Sequence, residues 1–197
     1  MIKLKPKIVR IYPVLVIKGT KLEEEYKKGE YEPLSVNQAV ERCKELCYMF
    51  GKKKIQVIRI GLQNTENICS PSNENSEVVA GPYHETFRQL VESSIYYDII
   101  VDKIKKFNTK VKEVEIVVNP QDVNNVVGYK RENINKLKEM YDVDVVIKQD
   151  IKHTTDKIDV IISKTHKDFI DDKETVVVEA VKAAGLEVFE VTYQGEW

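Results

Sequence analysis

Gly128-Tyr129-Lys130-Arg131 puts a glycine, an aromatic ring and two cations in a row, at the joint between two helical patterns. Glycine lets another chain approach the backbone closely, and cations at the start of a helix have the right sign for a phosphate. Anion binding is one reading of these residues; the other is a basic loop that is merely solvated. A second stretch, Lys18-Gly19-Thr20, abruptly stops the β-branched run Leu15-Val16-Ile17, and a charged segment of helical spacing follows. Strands of α/β barrels and open α/β sheets deliver their last residues into a site in this way. Arg59 stands in the apolar run Ile55–Leu62. A buried strand tolerates a guanidinium only where it is paired, as in a strand-end salt bridge, or reaches a site.

The remaining reactive side chains are less promising. Cys43, Cys47 and Cys69 are odd in number and give no disulfide framework. Cys43 and Cys47 sit at i and i+4 on the apolar side of a helical pattern, where cysteine behaves as a small core residue. His84, in "GPYHETF", has the chemistry of an acid, base or ligand but no partner at metal spacing, and His153 and His166 fall in polar loops, where solvation is expected. There is no Ser/His/Asp arrangement, Walker loop or zinc spacing, so no metal site is expected in this chain.

These residues must be held by elements that the hydrophobic pattern outlines. The 197 residues, 42% hydrophobic and 32% charged, suit one large globular domain or two small ones. A formal charge of −1 excludes nucleic-acid binding by bulk electrostatics and leaves only a local patch. No apolar run is long enough to span a bilayer, and the N-terminus lacks a secretory pattern, so no membrane partner is expected and the cytoplasm is the default location. The run from Lys7 to Ile17 reads as a strand buried on both faces, with Pro13 marking an edge, bulge or irregular start. A short helix from Thr20 is stopped by Gly29; a longer one, N-capped by Ser35, ends at Gly51; and Ile55–Leu62 is a second strand. Residues 8 to 62 therefore read as a parallel βαβ unit, whose open edge at residues 8 to 17 favours self-association. Asn64 to Ala80 is a polar loop, and Tyr83 to about Phe107 is helical.

A second unit starts near residue 108. It reads strand, short helix, "GYKR", helix with Ile134, Leu137 and Met140 inward, strand, strand, helix over 171 to 185, and a final strand "LEVFEVTY". This order resembles a KH domain, a single-strand nucleic-acid module, over roughly residues 112 to 184. The resemblance implies that Gly128, Tyr129, Lys130 and Arg131 form the loop that meets a sugar-phosphate backbone. Arg131 stands where the second loop glycine belongs, and a positive φ there would cost about 1–2 kcal/mol.

The stretch "IYPVLVIKGTKLEEEYKKGEYEPLSVNQAVERCKELCYMF", with "IQVIRIGLQ" and "VVAGPYHETFRQLVES", resembles the end of the catalytic barrel in radical S-adenosylmethionine (radical SAM) enzymes. The nearest branch is the elongator catalytic-subunit-like group, related to oxygen-independent coproporphyrinogen oxidases, and the match covers about residues 2 to 93. The fold it implies is α/β: the end of a partial parallel barrel over residues 1–107, followed by an α+β KH-like domain over 108–197. Lys18, Gly19 and Thr20, with Arg59, would then lie at the barrel mouth. The family's Cys-x3-Cys-x2-Cys loop, whose thiolates hold a [4Fe-4S] cluster that chelates S-adenosylmethionine, is absent from this sequence. The resemblance thus implies the C-terminal piece of a longer iron-sulfur enzyme. That enzyme would act on tRNA or a related RNA, and the N-terminal barrel half would be this chain's missing partner. No cofactor would be bound here and no catalytic residue lies in the chain, which would be inactive alone. The residues leave open a non-catalytic adaptor that binds RNA or protein.

Overall fold

A computed structural model describes residues 2–106, 111–155, 157–165, 175–176 and 193–194. The chain divides into two compact units, Met1–Ser94 and Ile95–Trp197.

In the first unit, strand β1 (Ile8–Ile11) leads to β2 (Val16–Ile17), helix α1 (Lys21–Lys27), helix α2 (Val36–Gly51), β3 (Gln56–Ile60) and β4 (Val78–Ala80). β1 and β3 pair in parallel, so the expected βαβ crossover through α2 is present. Helix α2 starts at Ser35 with a reciprocal cap: Ser35 Oγ accepts from the Gln38 amide, and Gln38 Oε1 accepts from the Ser35 amide. Its buried side is Ala39, Val40, Cys43 and Phe50, and the helix packs against β3.

The single strand expected from Lys7 to Ile17 is two strands. Pro13 falls in the gap, where its missing N–H and fixed φ end the first ladder. β1 alternates exposed and buried residues rather than burying both faces, and Ile8 remains 54% exposed. β2 joins a different sheet, antiparallel to β4, with Val16 opposite Ala80 and Ile17 opposite Val78. The end of the expected loop over 64 to 80 is therefore a strand. Helix α3 (Phe87–Lys105) begins four residues later than its periodicity predicts, after a turn in which His84 Nδ1 accepts from the Thr86 amide.

The second unit contains β5 (Val111–Val118), α4 (Val123–Val127), α5 (Glu132–Tyr141), β6 (Asp144–Gln149) and β7 (Ile158–Thr165). Its sheet runs β6-β5-β7, with β5 parallel to β6 and antiparallel to β7. The two helices between β5 and β6 thus form a right-order β-α-α-β crossover. The core gathers Tyr96, Ile100 and Ile104 of α3 with Val114, Ile116, Val126, Leu137 and Ile162. Of the three α5 residues expected inward, Leu137 is fully buried but Met140 is 68% exposed, while the next residue, Tyr141, packs against the core instead. His153, expected in solvent, is half-buried, and its side chain lies 3.9 Å from Asp159. Within the helix expected over 171 to 185, Thr175–Val176 is a strand (β8) paired with Tyr193–Gln194 (β9). The rest of that helix, the final strand before Tyr193, Phe107 and His166 lie outside the described residues. The chain is thus a mixed α/β structure with small parallel and mixed sheets.

Candidate functional site

The loop between α4 and α5 is built around Gly128. Its backbone lies at φ 79, ψ 161, a region open essentially to glycine alone, and its amide donates to the Asn124 carbonyl at 3.0 Å. Space is also closed to any other residue: a Cβ there would come 2.8 Å from the Asn133 backbone nitrogen and 2.9 Å from Asn133 Cγ. Asn133, buried at the start of α5, donates from Nδ2 to the carbonyls of Asn125 (3.1 Å) and Val126 (3.2 Å). It thereby satisfies carbonyls that the end of α4 leaves without helical partners, and ties one helix to the other.

Both loop cations occupy left-handed backbone: Lys130 at φ 50, ψ 33 and Arg131 at φ 65, ψ 24. Each position costs a non-glycine residue about 1–2 kcal/mol. The Arg131 amide closes the turn onto the Gly128 carbonyl at 3.0 Å. Both side chains are exposed, and Lys130 Nζ lies 5.2 Å from the centre of the Tyr129 ring. Helix α5 begins without a side-chain cap. All four loop residues expected at this place are brought together there, two exposed cations beside an uncapped helix start. Sequence reasoning missed Asn133 and the strain at Lys130. The signal for Asn133 was its spacing, i and i+4 with the core residue Leu137, which puts a polar side chain on the buried face.

Lys18, Gly19 and Thr20 follow β2 and make the start of α1. Thr20 Oγ1 donates to the Ile17 carbonyl at 2.7 Å and accepts from the Glu23 amide at 3.3 Å. Gly19, at φ 75, donates its amide to Glu23 Oε2 at 2.7 Å. The Lys18 amide reaches the Glu77 carbonyl at 2.8 Å. The Glu23 carboxyl is held below its ordinary range, first by its hydrogen bond to Lys27 and then by the Gly19 amide. Arg59 lies elsewhere, exposed on β3 and directly opposite Arg10 of β1. The expectation of a paired or site-directed guanidinium in a buried strand does not apply, because this side of the strand is open.

A radical SAM cluster needs three thiolates, and the cysteines of this chain do not fit one. Cys43 is buried, and burial pushes its thiol up to about 11; Cys47 is also raised, by burial first and then by Glu92. Both are on α2, and Cys69 is in the loop before β4, its Sγ donating to the Glu66 carbonyl. Among the described residues no three potential ligands come together. No step of iron-sulfur chemistry is assigned to these side chains. No helix among the described residues is long and apolar enough to cross a membrane.

Residues 6–97, somewhat less than half of the chain, match the family model of the Radical_SAM C-terminal domain. Over 37 residues the chain is 54% identical to a tRNA uridine(34) acetyltransferase of Methanocaldococcus jannaschii, a stretch that makes up 19% of this chain and 7% of that protein. Over 32 residues it is 62% identical to an uncharacterized protein of the same organism, covering 16% of this chain and 10% of the relative. The matched stretches are thus a tenth or less of either relative. No solved structure matches the chain. The match bears out the radical SAM part of the resemblance seen over residues 2 to 93, as similarity to a radical SAM C-terminal domain.

Proposed function

We propose that this chain serves as the C-terminal portion of a radical SAM iron-sulfur enzyme of the elongator catalytic-subunit-like branch that modifies tRNA. In this reading the first unit continues the barrel of a radical SAM core. The second, KH-like unit holds RNA against Gly128, Tyr129, Lys130 and Arg131. The core, not this chain, would hold the [4Fe-4S] cluster and S-adenosylmethionine, which together supply the radical. This chain's own residues position and bind: the capped start of α1 fixes the end of β2, where Lys18, Gly19 and Thr20 would face the barrel mouth. The strained loop presents two cations to a phosphodiester backbone.

The single observation that carries the reading is the coincidence of the family match over 6–97 with a parallel βαβ unit in the same residues. The short similarity to a tRNA-modifying enzyme supports the choice of substrate. Electrophoretic binding of tRNA by the full chain across a salt series tests the RNA half. Affinity should fall steeply as salt rises, and a Lys130→Ala/Arg131→Ala variant should lose about two units of the log–log salt slope. An unchanged affinity and slope would remove RNA contact from the proposal. Anaerobic reconstitution of the chain with iron and sulfide tests the other half. Stoichiometric uptake of iron with cleavage of S-adenosylmethionine would overturn the assignment of that chemistry to a separate core.

A further inference from the structure

Arg10 and Arg59 face each other across the β1–β3 ladder, both exposed, on the side of the sheet opposite the buried Val9, Ile11 and Ile60. Among the described residues neither guanidinium makes an ion pair or a hydrogen bond. Like charges directly opposite in a sheet are destabilising, so the pair is at odds with the isolated structure. A shift of register at Ile58 sets this pairing: Val9 lies opposite Val57, but Arg10 lies opposite Arg59. Without the shift Arg10 would sit opposite Ile58. The carbonyl of Ile58 is taken by the Arg88 guanidinium at 3.2 Å, so the chain has a use for one arginine at this strand and none for the other two.

The sheet itself is incomplete. Purely parallel pairs occur almost only where both faces are covered and further strands continue the ladder. Here two strands stand without a third among the described residues, and the open face also carries Ile8, 54% exposed, with Tyr12, 42% exposed, just beyond the strand. An apolar and doubly cationic face beside open main-chain edges calls for an occupant that supplies strands, apolar side chains and negative charge. A nucleic acid supplies the charge but not the ladder. A second copy of this chain would bring two more arginines.

We propose that this face seats a protein partner whose strand extends the β1–β3 sheet and whose carboxylate lies between Arg10 and Arg59. This rests on the reading of the first unit as part of a radical SAM barrel and names what the core must present to it: an aspartate or glutamate opposite the two guanidiniums. Bidentate pairing with one carboxylate converts the repulsion of the free chain into a charge-assisted contact shielded from water.

The test mixes the full chain with a purified, cluster-loaded radical SAM core polypeptide encoded by the same genome and measures affinity by calorimetry. Wild-type chain should bind one to one, and Arg10→Glu or Arg59→Glu should weaken binding about thirtyfold or more. The free variants should melt no lower than wild type, since reversal of one charge removes the repulsion. Phenylglyoxal should modify both arginines in the free chain and neither in the complex. Tight binding by both charge-reversal variants would overturn the carboxylate seat while leaving the proposed function standing. Failure of the wild-type chain to bind the core would overturn the barrel reading and this inference with it. Sedimentation showing a dimer of the free chain that either reversal dissolves would assign the face to a second copy. Loss of tRNA affinity in Arg10→Glu would assign it to nucleic acid. Either result would overturn the proposal.

Discussion

Gly128 and Asn133 hold one another in place: the Asn133 backbone nitrogen lies only 2.8 Å from where a Cβ at 128 would stand, and the Asn133 carboxamide fastens the carbonyls of Asn125 and Val126 just before that glycine. The consequence lies at two of the four residues between them. Lys130 and Arg131 are kept in left-handed backbone by a staple on either side, so their cations are presented from a turn the chain would not adopt unaided.

Replacing Gly128 therefore strikes backbone and packing together. Gly128→Ala is expected to destabilise the second unit by about 2–4 kcal/mol, since a Cβ meets both a forbidden φ/ψ region and the Asn133 backbone. Asn133→Ala should cost about 1–3 kcal/mol by leaving buried carbonyls unsatisfied. Hydrogen exchange of amides in β5 and β6 measures both. Unchanged protection in Gly128→Ala would contradict the close approach.

Arg131→Gly separates strain from binding. Relief of the left-handed backbone should stabilise the chain by up to about 1 kcal/mol, less what is lost to the greater freedom of glycine when unfolded. The same change removes a cation, and the salt slope for tRNA should fall by about one unit. Urea unfolding and a salt series on the same variant check the two effects in opposite directions. A variant both less stable and equally salt-sensitive would count against the loop's assigned role.

What could be read from the sequence was set by local rules, and what could not depended on partners distant in the chain. Ser35 ahead of a helical pattern announces its cap because a cap needs only its own first turn. The parallel pairing of β1 with β3 followed from one crossover. The split at Pro13 was marked by the proline itself, yet the destination of Val16–Ile17 was not, because β4 lies sixty residues away in a segment whose composition is that of a loop. The strand at Thr175–Val176 lay inside a helical reading that β-branched valines already weakened. At the candidate site, Gly128 and its cations were legible as a glycine between helices. Asn133 was not, since its role depends on two carbonyls of the preceding helix, and the Arg10–Arg59 juxtaposition depends on a shift of register that no local pattern marks.

The cysteines on α2 make a prediction about reactivity. Burial raises the Cys43 thiol to about 11, so folding favours its protonated form. That contribution to stability is complete below the ordinary thiol value of 9.0 and is lost as pH rises through about 11. Iodoacetamide at about pH 8, where the thiolate is the reacting species, should label Cys69 well before Cys43 or Cys47 in the folded chain, and all three alike in urea. Mass spectrometry of the peptides reads the order. Labelling of Cys43 as fast as Cys69 would show that α2 is not packed as described.

The start of α1 responds to acid rather than base. Lys27 and the Gly19 amide hold the Glu23 carboxyl below its ordinary value of 4.5, so its contribution is present above that value and is lost as pH falls through the lower folded one. The Gly19 amide, 2.7 Å from Glu23 Oε2, is the direct reporter. Its NMR resonance should titrate with a midpoint below 4.5, and Lys27→Met, which removes the largest cause of the shift, should move that midpoint upward. Thr20→Ala should leave the midpoint nearly in place while costing about 1 kcal/mol, because it removes the cap but neither partner of the carboxylate. If the midpoint moved as far in Thr20→Ala as in Lys27→Met, the lysine would not be the main source of the shift. Lys18, Gly19 and Thr20 would then be held by something other than the first turn of this helix.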